Sequence, residues 1–381
     1  MKVVVAMDSF KGSMTSAAAG EAVKKAVISV DPEAQVIVFP VADGGEGTVE
    51  ALCASKNGQN ISVAVTGPLG EELQSTYCIL SDHTAVLEMA TAAGITLVPP
   101  GKLNPLNTTT YGFGQMISDA VRRGCRRFII GIGGSATNDG GVGMLRALGF
   151  RFYDEKDNEI PSGAKGLKNL KRIDVSGAIP ELKECSFRVA CDVTNPLCGP
   201  HGCSAVYGPQ KGATTDMIAS MDEWLCRYAR ISKRIFPCAD DNFPGAGAAG
   251  GMGYAFRTFL NAELQAGIDI VLEEIGIEKY IQTADIIVTG EGRLDGQSIS
   301  GKTPIGVAGL AKKHGKTAIA FAGCVTDSAI LCNDYGIDAF FPIVRGITTL
   351  EEALNPAEAA KNLQSTVTQA FRLIYTQRKA E

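Results

Sequence analysis

The sequence predicts an α/β protein of two α/β domains, one with a parallel sheet and one inserted domain with a mixed sheet. Three observations predict it. Strand-like apolar runs near the N-terminus alternate with glycine-containing loops and helical segments, which is the pattern of a parallel sheet. In the middle of the chain the connections shrink to the tight turns GPLG at 67–70 and SDHT at 81–84, which suit antiparallel pairing. Regular alternation then returns at the C-terminal end. The first domain is therefore expected to be discontinuous, residues 1–60 and 280–381, with residues 61–279 inserted.

Val3 to Ala6 reads as a buried strand and Thr15 to Val30 as an amphipathic helix, with Ala18, Ala22, Val23, Ala26, Val27 and Val30 at helical spacing. Gln35 to Val41 is a second strand, followed by the loop ADGGEGT and a helix from Val49 to Lys56. Ile61–Thr66, Leu73–Leu80 and Ala85–Ala90 are strand-like. A helix from Tyr111 to Arg123, a strand from Arg127 to Ile132 and a helix ending near Gly149 come next. Phe187 to Cys191 is a strand and Asp216 to Phe236 a long helix. The closing elements are strands Asp285–Thr289, Thr317–Ala322 and Ala339–Ile343, with helices Pro304–His314 and Ala357–Tyr375. A proline near the start of a helix, as at Pro304, fits its first turn.

Of the 381 residues, 20% are charged and 45% hydrophobic, with a net charge of −5. That balance is globular. It argues against nucleic acid as a partner, since such sites need a basic surface. No apolar run reaches the roughly 18 residues of a membrane span. The opening MKVVVAMDSFKG is expected to be a strand rather than a signal peptide, so a cytoplasmic location is expected. Cys198 and Cys203 lie near each other, but no second Cys/His pair completes a zinc pattern.

Two literal motif matches fail on context. GQSISGKT at 296–303 fits a P-loop pattern, yet GEGRLD separates it from the strand and Pro304 follows at once. GAGAAG at 245–250 fits a dinucleotide fingerprint, yet PCADDNFP before it is no strand. Either segment could still offer glycine amides to a phosphate.

Five loops share one design, small residues beside a carboxylate, a cation or both: DSFKG at 8–12, DGGEGT at 43–48, GIGGSATNDGG at 131–141, DVTNP at 192–196 and GEGRLD at 290–295. Each is expected just past the C-terminal end of a strand, the edge where open α/β sheets bind ligands. Glycines allow backbone N–H groups to approach phosphate oxygens. Carboxylates suit Mg²⁺. Lys11, Arg293 and Lys302 could neutralise a transferring phosphoryl group or bind a substrate carboxylate. Only three histidines occur and no GxSxG, which argues against a Ser–His–Asp hydrolase.

These loops closely resemble the bacterial glycerate kinase family. The resemblance runs through DSFKGS at 8–13, PVADGGEGT at 40–48, VTGPLG at 65–70, IGIGGSATNDGGVGM at 130–144, ACDVTNPL at 190–197, YGPQKGA at 207–213, PGAGAAGGMG at 244–253 and VTGEGRLDGQSISGKTPIGVA at 288–308. It implies ATP-dependent phosphorylation of D-glycerate with Mg²⁺, giving 2-phosphoglycerate rather than 3-phosphoglycerate. It implies one Rossmann-like domain and an active site in an interdomain cleft. The oligomeric state stays open, a homodimer being one option.

Roles follow from chemistry at the matching positions. Asp192 is expected to be the general base, because a carboxylate must take the acceptor's proton where histidine is scarce. Lys11, Lys302 and Arg293 are the expected catalytic cations. Gly133, Gly134, Ser135, Thr137, Asn138, Gly140, Gly247, Gly250, Gly290 and Gly292 are expected to bind the nucleotide. Asp8, Ser9, Gly44, Gly45 and Asn195 are expected to bind the substrate, and Asp43, Glu46, Asp139, Glu291 and Asp295 to hold Mg²⁺. The alternatives are an NAD-dependent hydroxy-acid oxidoreductase using Gly245–Gly250, and a non-catalytic small-molecule sensor.

Overall fold

Thirteen strands are present among the described residues of the computed structural model, which are 1–45, 47–299 and 301–378. They are β1 (Lys2–Met7), β2 (Gln35–Pro40), β3 (Gln59–Thr66), β4 (Glu72–Ile79), β5 (Thr84–Glu88), β6 (Arg127–Gly131), β7 (Arg151–Tyr153), β8 (Arg172–Asp174), β9 (Ser186–Ala190), β10 (Glu263–Gln265), β11 (Ile286–Leu294), β12 (Thr317–Val325) and β13 (Ala339–Pro342). The chain forms two compact units. One comprises residues 1–43, 50–56 and 266–381, the other residues 44–49 and 57–265.

The first unit holds a five-stranded parallel sheet in the order β13-β12-β11-β1-β2. From β1 the chain goes first to β2 on one side and returns later to β11 on the other. The ends of β1 and β11 therefore flank a topological switch point. Helix Ser16–Val30 starts where the Thr15 side chain accepts a hydrogen bond from the Ala18 amide, satisfying an end group the helix itself cannot. It buries Ala19, Ala22, Val23, Ala26 and Val27 in the core that also takes Leu363, Val367 and Phe371 from helix Pro356–Arg378. Val3, Val5 and Met7 of β1 supply the sheet's side of that core.

The second unit holds a six-stranded mixed sheet in the order β10-β9-β6-β5-β4-β3. β3, β4 and β5 pair antiparallel, as the short turns predict, and β5, β6, β9 and β10 run parallel. Phe128 of β6 stacks on Phe187 of β9 with ring centres 4.7 Å apart, and Phe256 of helix Ala248–Leu260 packs 5.9 Å from Phe187. A small antiparallel pair, β7 with β8, stands apart from the sheet.

Two expectations need correction. The strand predicted over Ala85–Ala90 stops at Glu88, and Ala90–Ala93 turns as a helix. The strand predicted to end at Thr289 continues to Leu294, so Gly290, Glu291, Gly292 and Arg293 lie within a strand rather than in a loop beyond it. The reason is pairing: β12 is equally long and carries the ladder out to Leu294 opposite Val325. Alternating small and charged residues hid this extension from a reading based on apolar runs.

Candidate active site

At the switch point of the parallel sheet, β1 delivers Asp8 and β11 delivers Glu291, both almost wholly buried. The Asp8 amide donates to the Gly290 carbonyl at 2.9 Å, which fixes the turn out of β1 against β11. One Asp8 oxygen, Oδ1, accepts from the Ser9 amide at 2.6 Å and from the Ser9 hydroxyl at 3.3 Å. The other, Oδ2, accepts from Thr303 Oγ1 at 2.8 Å. Burial, with the nearby Asp43 carboxylate second, pushes the Asp8 carboxyl up to about 6 despite these hydrogen bonds and the Lys11 charge.

Glu291 accepts a 2.6 Å hydrogen bond from Ser298 and lies 3.5 Å from Lys302 Nζ. Burial raises its pKa, and Ser298 and Lys302 partly offset the rise. Lys302 and Thr303 begin the helix Thr303–Lys313, so a helix N-terminus with its partial positive charge meets the Asp8 carboxylate. Gly292 lets the 8–12 loop close in: a Cβ there would sit 3.3 Å from the Lys11 amide nitrogen. The structure thus gathers Asp8, Ser9, Lys11, Asp43, Glu291, Gly292 and Lys302 at one edge of one sheet. Thr303 and Ser298 join them, and neither was expected from the sequence.

Arg293 and Asp295 behave differently. Arg293 is exposed and pairs with Asp295 at 3.0 Å, while Asp295 Oδ1 accepts from the Gln297 amide and shapes its own turn. Gly290 is not an open phosphate donor. A Cβ there would lie 2.0 Å from the Phe321 carbonyl, so the glycine exists to let β11 pack. The expected Mg²⁺ ligand Glu46 lies outside the described residues.

In the second unit, β6 leads into the loop at 131–141. Gly131 and Gly133 pack against the backbone of Gly44 and Gly45, so these four glycines form one close backbone approach. Asp139 is completely enclosed. Its carboxylate accepts from the Thr110 amide and hydroxyl and from the amides of Gly141 and Gly143. Expected as a Mg²⁺ ligand, it is instead the anchor that folds the loop, because its oxygens are already committed to these donors. Burial raises its pKa even so.

Lys211, from the YGPQKGA segment, is also enclosed. Its Nζ donates to Ser135 Oγ at 2.8 Å and to the Thr137 carbonyl at 2.6 Å. Burial lowers its pKa to about 8. No role was expected for it, since an isolated lysine in a sequence reads as a solvated surface group. No local signal marked it: its chain neighbours are Gln210 and Gly212, and its partners lie 76 and 74 positions away.

The glycines expected to bind nucleotide at 247 and 250 are occupied by packing. The Gly247 amide donates to the Asn195 carbonyl at 2.9 Å, and the Gly140 amide donates to the Gly250 carbonyl at 2.9 Å. A Cβ on Gly250 would meet the Thr137 carbonyl at 2.1 Å, and one on Gly251 would meet Gly140 Cα at 2.8 Å. Ala249, Gly250 and Gly251 all take left-handed backbone angles, a kink within helix Ala248–Leu260. The dinucleotide alternative fails here, because no strand feeds the segment and its glycines admit protein backbone rather than a cofactor. Asn195, expected to touch substrate, holds its own loop: its amide donates to the His201 carbonyl and accepts from Tyr207. Asp192 stands exposed just past β9.

Glycine-rich loops at strand ends, with a helix N-terminus and Lys302 in one unit and the buried Lys211 in the other, are the equipment of an α/β enzyme that handles phosphates. Comparison with known proteins narrows this class. A glycerate kinase family model matches residues 3–375. Glycerate 2-kinase of Escherichia coli (strain K12) is 47% identical over 378 residues, 98% of this chain and 99% of that one. Glycerate kinase of Bacillus subtilis (strain 168) is 48% identical over 358 residues, 94% of each. A crystal structure from Salmonella typhimurium LT2, provisionally assigned as glycerate kinase 2, matches with a TM-score of 0.91 at 43% identity, covering 100% of this chain and 99% of that one. The chain belongs to the glycerate kinase family and is a phosphotransferase. No helix among the described residues is long and apolar enough to cross a membrane.

Proposed function

We propose that the protein is a cytoplasmic enzyme that transfers the γ-phosphoryl group of ATP to the C2 hydroxyl of D-glycerate, giving 2-phosphoglycerate and ADP. The observation that carries this reading is the full-length similarity to a protein named glycerate 2-kinase. In the transfer an oxygen–phosphorus bond forms at the acceptor, the bond to the ADP oxygen breaks, and the hydroxyl proton passes to a base. Asp192 is the residue assigned to that proton, with β9 fixing its position. Lys11 and Lys302 would oppose the charge on the transferring group, and Arg293 could join them by leaving its exposed pair with Asp295.

The loop at 133–140 is assigned to the nucleotide phosphates through Gly133, Gly134, Ser135 and neighbouring amides. Asp8, Ser9, Gly44 and Gly45 are assigned to the substrate. The acidic donors at the switch point fit Mg²⁺ chemically: Asp8 and Glu291 are hard oxygen donors, and burial leaves both with a deficit of solvation that raises their pKa. Asp43 lies close enough to add to that rise at Asp8. Among the described residues no three acidic, histidine or cysteine side chains converge as a ready metal cage. A Mg²⁺ ion here would take one or two carboxylates and complete its shell with phosphate oxygens and water, neutralising phosphate charge.

The test is an assay of the purified protein with ATP, D-glycerate and Mg²⁺. ADP release that depends on glycerate, stops in excess EDTA and returns with Mg²⁺ supports the reading. Phosphorus and carbon NMR of the product then identify the esterified carbon. NAD(P)H formation without ADP, or binding without turnover, would overturn it.

A further inference from the structure

Lys211 poses an energetic problem that packing does not solve. A fully buried ammonium costs several kcal/mol unless paired. Yet its two partners, Ser135 Oγ and the Thr137 carbonyl, are both neutral. Asp139 attracts it without forming an ion pair among the described residues. The same loop buries two more polar atoms without partners, Thr137 Oγ1 and Asn138 Oδ1.

The hydrogen-bond direction matters. An ammonium can only donate, so Ser135 Oγ must accept, and its own O–H is left to donate elsewhere. No described residue accepts from it. A donor polarised by an ammonium behind it is strengthened for an anionic acceptor.

We infer that Lys211 is a positioning residue that orients the Ser135 hydroxyl to donate to a phosphate oxygen of the bound nucleotide, the ligand's negative charge completing the balance of the buried ammonium. This rests on the assignment of the 133–140 loop to nucleotide phosphates. Lys211 itself stays beneath the loop and acts through Ser135.

The experiment measures ATP–Mg²⁺ dissociation constants by calorimetry for wild type, Ser135→Ala, Lys211→Met and the double variant, each checked for folding by circular dichroism. Ser135→Ala and Lys211→Met are each expected to weaken ATP about tenfold, and the double variant to be little worse than Lys211→Met alone. A second readout is pH. The titratable groups facing Lys211 are Cys203, pushed up to about 12 by burial, and Asp139. Burial lowers Lys211 to about 8, so wild-type ATP affinity should fall through about pH 8, and the part of that fall that belongs to Lys211 should be absent from Lys211→Met. Unchanged ATP affinity in Ser135→Ala would overturn the inference and leave the backbone amides of the 133–140 loop as the phosphate contacts. Weakened binding in Ser135→Ala with unchanged binding in Lys211→Met, or strictly additive losses in the double variant, would overturn the inference alone. If Lys211→Met does not fold, the wild-type pH profile compared with Ser135→Ala decides: a profile flat from pH 7 to 9 refutes it.

Discussion

The Thr303 hydroxyl donates to the Asp8 carboxylate across 2.8 Å, joining residues 295 positions apart in the chain. The bond ties the end of β1 to the first residue of helix Thr303–Lys313, and it does so where Asp8 is already strained electrostatically by burial and by Asp43.

Asp8 should therefore cost stability at neutral pH. Its folded-state pKa of about 6 lies above the ordinary aspartate value of 3.8. The folded protein holds this proton more tightly, so stability is greatest below about pH 4 and is lost as pH rises through 6. Asp8→Asn should raise Tm by several degrees at pH 7.5, from a release on the order of 2–3 kcal/mol, and give no gain near pH 4. Activity should fall at the same time. Thermal denaturation at both pH values checks this, and a lower Tm at pH 7.5 would contradict it.

Lys302 stands 3.5 Å from Glu291 at the start of the same helix. Lys302→Met should lower kcat/KM about 100-fold or more, because it removes a preorganised charge. Steady-state kinetics showing a variant within about threefold of wild type would rule Lys302 out of the transfer.

Asp139 separates a loop anchor from a metal ligand. Asp139→Ala would orphan donors on Thr110, Gly141 and Gly143, with a loss of roughly 3–5 kcal/mol. Urea denaturation should show that loss whether or not Mg²⁺ is present. Stability that is normal without Mg²⁺ and differs only with it would return Asp139 to the metal.

Asp192→Asn should lower kcat by roughly 10²–10⁴ and leave ATP affinity nearly unchanged, as expected for a lost base. Lost ATP–Mg²⁺ binding that is rescued by high Mg²⁺ would instead make Asp192 a metal ligand, and the base would be sought at Asp43, Glu46 or Glu291.

Much of the fold was legible because it is written in local periodicity. The buried runs of β1, β6 and β9 and the spaced alanines of Ser16–Val30 identify themselves. β10 and the β7–β8 pair did not, since three-residue strands have no period to read. The site was legible as a set of loops but not as a division of labour. Asp8, Asp139 and Asp192 look alike in sequence, each an aspartate in a short polar loop. Only enclosure distinguishes a carboxylate saturated by four donors from one standing at the surface. Lys211 and Thr303 were invisible for the same reason, as their roles depend on partners far away in the chain.

The kink at Ala249–Gly251 has a consequence for how this sequence can change. Backbone rests on backbone where Gly250 meets Thr137 and Gly251 meets Gly140, with no side chain between to absorb a difference. A methyl group on either side has nowhere to go. The two glycine-rich stretches are thus mechanically one part assembled from distant segments, and neither can be exchanged with a homologous segment unless its counterpart travels with it. A chimera that swaps 244–253 alone for a sequence lacking these glycines should lose the 131–141 loop as well, though not one residue of that loop has been altered.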